Sequence, residues 1–211
     1  MLFIVQWTRS LIFALQMYLA MTVIAIFGAP ISLLRTDYAY LVVRFFCNYV
    51  TWSASWIIGL KTEIRGKPPS GEMLIAAKHQ SFLDVIMIVS KTPKPKFIMK
   101  SSLTFMPRIG FYARRIGCIP VKRGKRSEAI KTMLSAVQDG NATSGQLIIY
   151  PQGTRVAPGD KVPYKVGAAA LYEELGQPCI PVACNVGLFW GRLGLLKKPG
   201  TATIEFLPPI M

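Results

Sequence analysis

The sequence predicts an α/β fold, a mixed and mostly parallel sheet covered by helices, preceded by an N-terminal membrane-associated helical hairpin. After residue 60, short β-type runs alternate with segments of helical periodicity, an order typical of strands joined by covering helices. Before residue 60, the chain is strongly apolar and carries few charges. We therefore divide the 211 residues into an N-terminal anchor, 1–60, and an α/β domain, 61–211.

The anchor contains two apolar runs. Ser10–Leu34 has no charged residue and exceeds the roughly 20 apolar residues that a helix needs to cross a bilayer. We expect Gly28-Ala29-Pro30 to interrupt this run near its end. The shorter run Phe45–Leu60 carries Trp52 and Trp56, which favour the membrane interface, and predicts an interfacial or re-entrant helix. A cleaved signal peptide followed by a core helix is the alternative, but the second run favours a retained hairpin.

Charge and hydropathy together select the kind of partner. The chain has 25 Lys and Arg against 10 Asp and Glu, a net charge of +15, which indicates a polyanionic partner such as nucleic acid or an anionic lipid surface. A mean hydropathy of +0.38 is high for a nucleic-acid-binding protein. We therefore expect membrane lipids as the partner and no nucleic acid.

Cysteine and histidine usage indicates neither a disulfide framework nor a metal site. The four cysteines form no C-x-x-C pair, and the chain has a single histidine. We expect no bound metal and no cofactor.

The α/β domain begins at the junction Lys61–Ser70, which contains a glycine and two prolines. The predicted strands are Thr62–Arg65, Met73–Ala77, Lys96–Met99, Gly117–Val121, Gln146–Tyr150, Ile180–Cys184 and Thr203–Phe206. The predicted helices are Phe82–Val89, Ile109–Arg115, Ser127–Gln138 and Val166–Leu175.

The first candidate for chemistry is the pair formed by His79 and Asp84. On one continuous helix, an offset of five residues would separate them by about 140°, so they can meet only if His79 precedes the helix. Ser81 and Asp84 also have the spacing of a capping box, so Asp84 could simply cap the helix. Alternatively, Asp84 orients the imidazole, and the other ring nitrogen accepts a proton from a hydroxyl. Because His79 is the only histidine, any imidazole mechanism must use it.

Two further segments can bind an anion. Gln152-Gly153-Thr154-Arg155 follows a strand and offers backbone N–H groups, a hydroxyl and a guanidinium to a phosphate, although such turns also occur for geometric reasons alone. Arg123 follows a short apolar strand, where a solvated basic edge is the simpler interpretation.

Together these segments resemble the bacterial 1-acyl-glycerol-3-phosphate acyltransferase family. His79–Asp84 match its first motif, and Gly117 with Arg123 match its second. Tyr150–Arg155 match its third, usually aromatic-Pro-Glu-Gly-Thr-Arg, and Ile180-Pro181-Val182 match its fourth. The order and separations also fit from residue 61 onward.

The resemblance implies transfer of a fatty acyl group from acyl-CoA or acyl-carrier protein to the sn-2 hydroxyl of lysophosphatidic acid. It implies His79 and Asp84 as catalytic residues, and Arg123, Gly153, Thr154, Arg155 and Lys100 as ligands of the acceptor phosphate. Gln152, Gly117 and Pro181 would support the site, and the domain would face the cytoplasm on the inner membrane. Gln152 departs from the usual glutamate, which excludes a role that requires a carboxylate.

The residues predict direct attack by the hydroxyl without an acyl-enzyme intermediate. Ser81 and Cys118, the nearest nucleophiles, are better explained as a helix cap and a strand residue. Acylation of another lysolipid, such as a lyso-amino-acid lipid, or of glycerol 3-phosphate remains open, as does a non-catalytic lipid-binding module.

Overall fold

The computed structural model describes residues 2–122, 126–138 and 145–211. Its helices are α1 (Leu2–Leu34), α2 (Thr36–Ile57), α3 (Phe82–Lys91), α4 (Pro107–Arg115), α5 (Arg126–Gln138) and α6 (Gly167–Leu175). Its strands are β1 (Leu60–Arg65), β2 (Met73–Ala77), β3 (Pro95–Lys100), β4 (Ile119–Val121), β5 (Gln146–Ile149), β6 (Cys179–Cys184) and β7 (Gly200–Phe206). Short 3-10 helices span Ser101–Phe105 and Val186–Leu188.

The described strands form one seven-stranded sheet in the order β1-β7-β6-β2-β5-β3-β4. Neighbouring strands from β6 to β4 are parallel, whereas β7 runs antiparallel to β6 and parallel to β1. This confirms the predicted mixed, mostly parallel sheet. The carboxyl ends of β2, β3, β4, β5 and β6 therefore share one edge, and β1 and β7 end at the opposite edge.

Alternate residues of β2 fill two hydrophobic cores, one on each face of the sheet. Ile75 and Ala77 pack in the larger core with α2 and α3. Leu74 and Ala76 pack in the smaller core with α5 and α6. This near-continuous apolar strand is typical of a parallel sheet that is covered on both faces.

Helix α1 is not interrupted at Gly28-Ala29-Pro30, so that prediction is wrong. The helix continues through Pro30 to Leu34. Gly28 serves close packing instead, because a Cβ there would lie 2.6 Å from Val42 Cγ1 of α2 and 2.8 Å from the Tyr112 hydroxyl of α4. The close contact of α1 with both helices therefore lies two residues before the proline.

Helix α2 is longer than the apolar run that predicted it, because it begins at Thr36, directly after α1. Its buried residues include Cys47, Val50 and Ala54, which join the larger core. Trp52 and Trp56 point away and are 59% and 73% exposed. The hairpin and the sheet therefore share a core, and the division into anchor and catalytic domain stays a prediction.

Helix α1 presents an apolar stripe to its surroundings. Exposed residues recur at three- and four-residue spacing, the period of one helix face. They are Ile12, Leu15, Leu19, Val23, Phe27, Ile31 and Leu34, and the exposed Ile26 lies beside Phe27 in the same stripe. Among the described residues, Phe3–Leu34 is the one helical segment long and apolar enough to cross a membrane.

Candidate active site

The sequence motifs meet at the carboxyl edge of the sheet. His79 follows β2, Tyr150–Arg155 follows β5, and Lys100 ends β3. Because these strands are parallel neighbours, residues far apart in the chain reach the same edge. In open α/β sheets, this edge is where ligands bind.

The turn between β2 and α3 brings His79 and Asp84 together. His79 Nδ1 lies 2.9 Å from Asp84 Oδ1, and α3 begins only at Phe82, so the predicted position of His79 before the helix is confirmed. The Asp84 side chain is fully buried, and that of His79 is 13% exposed. Because a carboxylate can only accept, the contact assigns the proton to Nδ1 and leaves Nε2 as an acceptor.

Asp84 caps the helix as well as contacting the imidazole. Its Oδ2 accepts from the backbone N–H groups of Gln80 and Ser81, each at 2.7 Å. The Ser81 hydroxyl accepts from Leu83 N at 3.2 Å and completes the capping box. The two oxygens of one carboxylate therefore perform the two functions that the spacing left as alternatives.

The ring of Tyr150 forms a platform under the imidazole, which the sequence reasoning did not identify. The two ring centroids are 4.0 Å apart and the planes differ by 22°. The Tyr150 hydroxyl is buried near the Asp84 carboxylate but makes no hydrogen bond of ordinary geometry with the described residues. Burial, followed by the nearby Asp84 carboxylate, raises the pKa of Tyr150 well above its ordinary value. The sequence signal that could have identified this platform is the aromatic residue directly after the buried strand β5.

Gln152 and Val156 tie the second loop to the first. The buried Gln152 accepts from the His79 backbone N–H through Oε1 at 3.5 Å. Val156 N donates to the His79 carbonyl at 2.8 Å. Gln152 therefore contacts the backbone of the His79 turn, and its role here needs only an acceptor oxygen.

The Gly153–Arg155 loop is more open than the His79 turn. Gly153 has a φ of +68°, and its N–H donates to Tyr150 O at 2.8 Å to close a tight turn. A Cβ at Gly153 would lie 2.8 Å from Lys165 Nζ, so an ammonium group lies over this glycine. Thr154 and Arg155 are partly exposed, and Arg155 contacts the Arg192 carbonyl at 3.4 Å.

Two further cations, Lys100 and Arg123, were predicted as phosphate ligands. Lys100 ends β3 with an exposed side chain. Arg123 lies outside the described residues, so its assignment stays a prediction.

Gly117 lies in the turn after α4 rather than in a strand, so the predicted strand Gly117–Val121 is two residues too long. Its φ is +76°. Gly117 N donates to Arg114 O at 3.2 Å, and Cys118 N donates to Ala113 O at 2.8 Å. These bonds form a Schellman motif, which favours glycine and directs the chain into β4.

Pro181 lies in β6 opposite Ala76 of β2. Its carbonyl accepts from Leu207 N at 3.0 Å, just beyond the end of β7. Because proline has no N–H, the ladder between β6 and β7 ends there.

The chemistry available here is proton abstraction by an oriented imidazole. Ser81 Oγ is fully buried as a helix cap, and burial raises the pKa of the Cys118 thiol to about 11, so neither is an activated nucleophile. The fold and site define an α/β enzyme with a histidine–aspartate pair that can activate a hydroxyl on another molecule.

Comparison with known proteins identifies the class of enzyme. A family model described as Acyltransferase matches residues 61–185, more than half of the chain. This chain therefore belongs to the acyltransferase family and is an enzyme of acyl transfer.

Several curated relatives share a name. The 1-acyl-sn-glycerol-3-phosphate acyltransferase of Pseudomonas aeruginosa is 27% identical over 97% of this chain and 81% of the relative. The chloroplastic enzyme BAT2 of Brassica napus is 29% identical over 78% of this chain and 48% of the relative. The alpha enzyme of Mus musculus is 26% identical over 74% of this chain and 57% of the relative. The chain thus spans about half the length of the last two.

The fold also matches a solved structure. The crystal structure of the 1-acyl-sn-glycerophosphate acyltransferase PlsC from Thermotoga maritima aligns with a TM-score of 0.77 at 18% sequence identity. The alignment covers 96% of this chain and 86% of that chain. It confirms the architecture, including the N-terminal helices and the sheet.

Proposed function

We propose that this acyltransferase moves a fatty acyl group from acyl-CoA or acyl-carrier protein to the sn-2 hydroxyl of 1-acyl-glycerol 3-phosphate, giving phosphatidic acid. The observation that carries the proposal is the 2.9 Å contact between His79 Nδ1 and Asp84 Oδ1, with Asp84 held by two backbone N–H groups. The shared name of the relatives supports the acceptor.

The reaction proceeds by direct attack. Nε2 of His79 accepts the proton of the acceptor hydroxyl while the hydroxyl oxygen bonds to the thioester carbonyl carbon. The carbon–sulfur bond then breaks, and the imidazolium returns the proton to the leaving thiolate. Asp84 stabilises the imidazolium that forms between these steps.

The acceptor phosphate would bind beside this base. Arg123, Lys100 and the loop Gly153-Thr154-Arg155 are the proposed ligands, because cations and backbone N–H groups favour phosphate. This assignment is supported by the common edge that Lys100 and the loop share with His79.

Release of free thiol in the presence of different acceptors tests the proposal. Thiol should appear from acyl-CoA or acyl-carrier protein only when 1-acyl-glycerol 3-phosphate is added. Glycerol 3-phosphate and a lyso-amino-acid lipid serve as comparison acceptors. Faster release with either of them would assign a different substrate.

For the location, we propose that α1 lies in the plane of the inner membrane, on its cytoplasmic side. Arg9 of α1 donates to carbonyls at the end of α2. Arg108 of α4 donates to Thr22, and Arg115 of α4 donates to the Ser32 carbonyl. Because charged groups contact α1 along its length, a spanning orientation would bury them in hydrocarbon.

Substitutions in the apolar stripe test this location better than deletion of residues 1–60, which would uncover the shared core. Leu15, Leu19, Ile26 and Phe27 are 60–76% exposed, and replacing all four by Gln should abolish flotation with liposomes in high salt. Each buried apolar side chain contributes about 1.5–3 kcal/mol to such binding.

Ile210→Gln is the control. Ile210 is 54% exposed and pairs with Cys179 at the amino end of β6, the edge of the sheet opposite the candidate active site. Circular dichroism verifies folding of both variants. A folded quadruple variant that still floats would place the membrane contact outside this stripe.

A further inference from the structure

A cleft of about 450 Å³ lies beside the candidate active site. Its lining combines one residue next to His79 with the segment that follows the Gly153–Arg155 loop. The lining residues are Lys78, Asp160, Lys161, Val162, Pro163 and Tyr164. It is open to solvent over most of its boundary, so it suits the solvated, charged part of a ligand rather than an enclosed apolar group.

The cleft and the imidazole lie on opposite faces of the sheet. Lys78 N donates to the Val182 carbonyl at 3.0 Å, so the alternation of β2 continues through Lys78. Lys78 therefore follows Ala76 toward the α5 and α6 side, whereas His79 stacks on Tyr150 on the α3 side. A bound molecule could enter on one face and reach across the strand end to His79.

The positive charges at the cleft are available to a ligand. Lys78 Nζ lies 5.4 Å from the centroid of the Tyr164 ring. In the part of the chain that the structure describes, neither Lys78 nor Lys161 nor Lys165 forms an ion pair with a carboxylate. Lys165 Nζ lies over Gly153, next to the same segment.

The remaining groups are those that recognise a nucleoside. The Tyr164 ring is 61% exposed and can stack on a base. The Asp160 carboxylate can accept a hydrogen bond from the exocyclic amino group of the base or from a free ribose hydroxyl. The lysines can bind phosphates. An aromatic ring, a carboxylate and several ammonium groups fit a phosphorylated nucleoside better than they fit an isolated phosphate.

We infer that this cleft binds the nucleotide of acyl-CoA, while the pantetheine arm carries the thioester over the end of β2 to His79. The inference rests on the proposed function, which requires a thioester donor, and it selects acyl-CoA as that donor. Lys78 and Tyr164 thus bind the donor on one face, and the Gly153–Arg155 loop remains available for the acceptor phosphate.

Binding of adenosine 3′,5′-bisphosphate, measured by calorimetry on the full chain in detergent micelles, tests the cleft without any turnover. We expect the double variant Lys78→Ala/Tyr164→Ala to weaken binding about tenfold or more, because it removes a phosphate contact and a stacking surface. Lys67→Ala is the control, because Lys67 is exposed and follows β1 at the opposite edge of the sheet. Equal affinities of the wild type and the double variant would overturn the inference.

Steady-state kinetics then compare three donors with the same acyl chain: acyl-CoA, acyl-phosphopantetheine and acyl-carrier protein. The double variant should raise KM for acyl-CoA about tenfold or more and change KM for acyl-phosphopantetheine by less than about twofold. Equal losses with all three donors, or a loss confined to acyl-carrier protein, would overturn the inference. If the wild type transfers no acyl group from any donor, the proposed function fails, and calorimetry still tests the cleft.

Discussion

The turn at His79 and the loop at Gly153–Arg155 lie at the same edge of the sheet but are built differently. Asp84 is fully buried and accepts two backbone N–H groups as well as the contact from the imidazole. Thr154 and Arg155 are partly exposed, and Arg155 makes one long contact, 3.4 Å, to a backbone carbonyl. One region is fixed before any substrate arrives, whereas the guanidinium of the other is held only by that long contact.

This difference fits the two tasks in the proposed reaction. A general base must be held at a set angle to the proton that it removes, so rigidity in the His79 turn favours turnover. A loop that binds phosphate gains by presenting donors that are not already satisfied. Substitutions in the turn should therefore lower kcat, and those in the loop should raise KM for the acceptor.

The largest expected effect is that of His79→Ala. General-base catalysis contributes typically about 10²–10⁴-fold, and the chain offers no second histidine. We expect kcat to fall by that factor, as measured by thiol release. Liposome flotation and circular dichroism should be unchanged. Turnover above about a tenth of the wild type would exclude His79 as the base.

Arg155→Ala should act on binding instead. A charge-assisted contact to phosphate is worth roughly 1.5–3 kcal/mol, or about 10- to 150-fold in acceptor affinity. The acceptor KM should rise by about this factor while the donor KM changes little. Arg65→Ala, which removes an exposed guanidinium at the opposite edge of the sheet, is the matched control. A rise confined to the donor KM would assign the loop to the thioester substrate.

Gln152 links the two regions, and its variants test that link. Gln152→Glu keeps the oxygen that accepts from His79 N, so activity should stay within about tenfold, or 1.4 kcal/mol. Gln152→Ala leaves that donor without its partner, at roughly 1–3 kcal/mol, and should lose more. Steady-state kinetics against the lysolipid decide between them. Greater damage from Gln152→Glu would mean that the side chain faces the phosphate.

The smallest effect is expected for Tyr150→Phe. This change removes a buried hydroxyl that makes no hydrogen bond of ordinary geometry, and it keeps the ring under the imidazole. We expect kcat within about threefold of the wild type and a free energy of unfolding equal or higher by about 1 kcal/mol. Tyr150→Leu removes the platform, worth about 0.5–1.5 kcal/mol, and should lower kcat by up to about tenfold. If Tyr150→Phe is the more damaging change, the hydroxyl takes part in the reaction.

Local patterns predicted the sheet and the first motif. Alternating β-type and helical runs located the strands, since a parallel sheet buried on both faces needs near-continuous apolar strands. The offset between His79 and Asp84 allowed a contact only if His79 precedes the helix, and it left capping by Asp84 and orientation of the imidazole as alternatives.

Features that depend on tertiary packing could not be predicted. Pro30 lies inside a helix that packs closely against α2 and α4 at Gly28, and this packing has no signal in the local sequence. Tyr150 meets His79 because β2 and β5 are neighbours, a register that no local pattern specifies. The ammonium of Lys165 over Gly153 likewise follows from the path of the loop between them.

Because the chain has a single histidine, the imidazole of the candidate active site can be observed by NMR without overlap from other histidines. In a sample labelled with ¹⁵N only at histidine, both imidazole signals come from residue 79. The Asp84 contact places the proton on Nδ1, so the two nitrogen shifts should differ as they do for that tautomer. Titrating the sample with each substrate would then show which one the base senses, without substitution and without turnover.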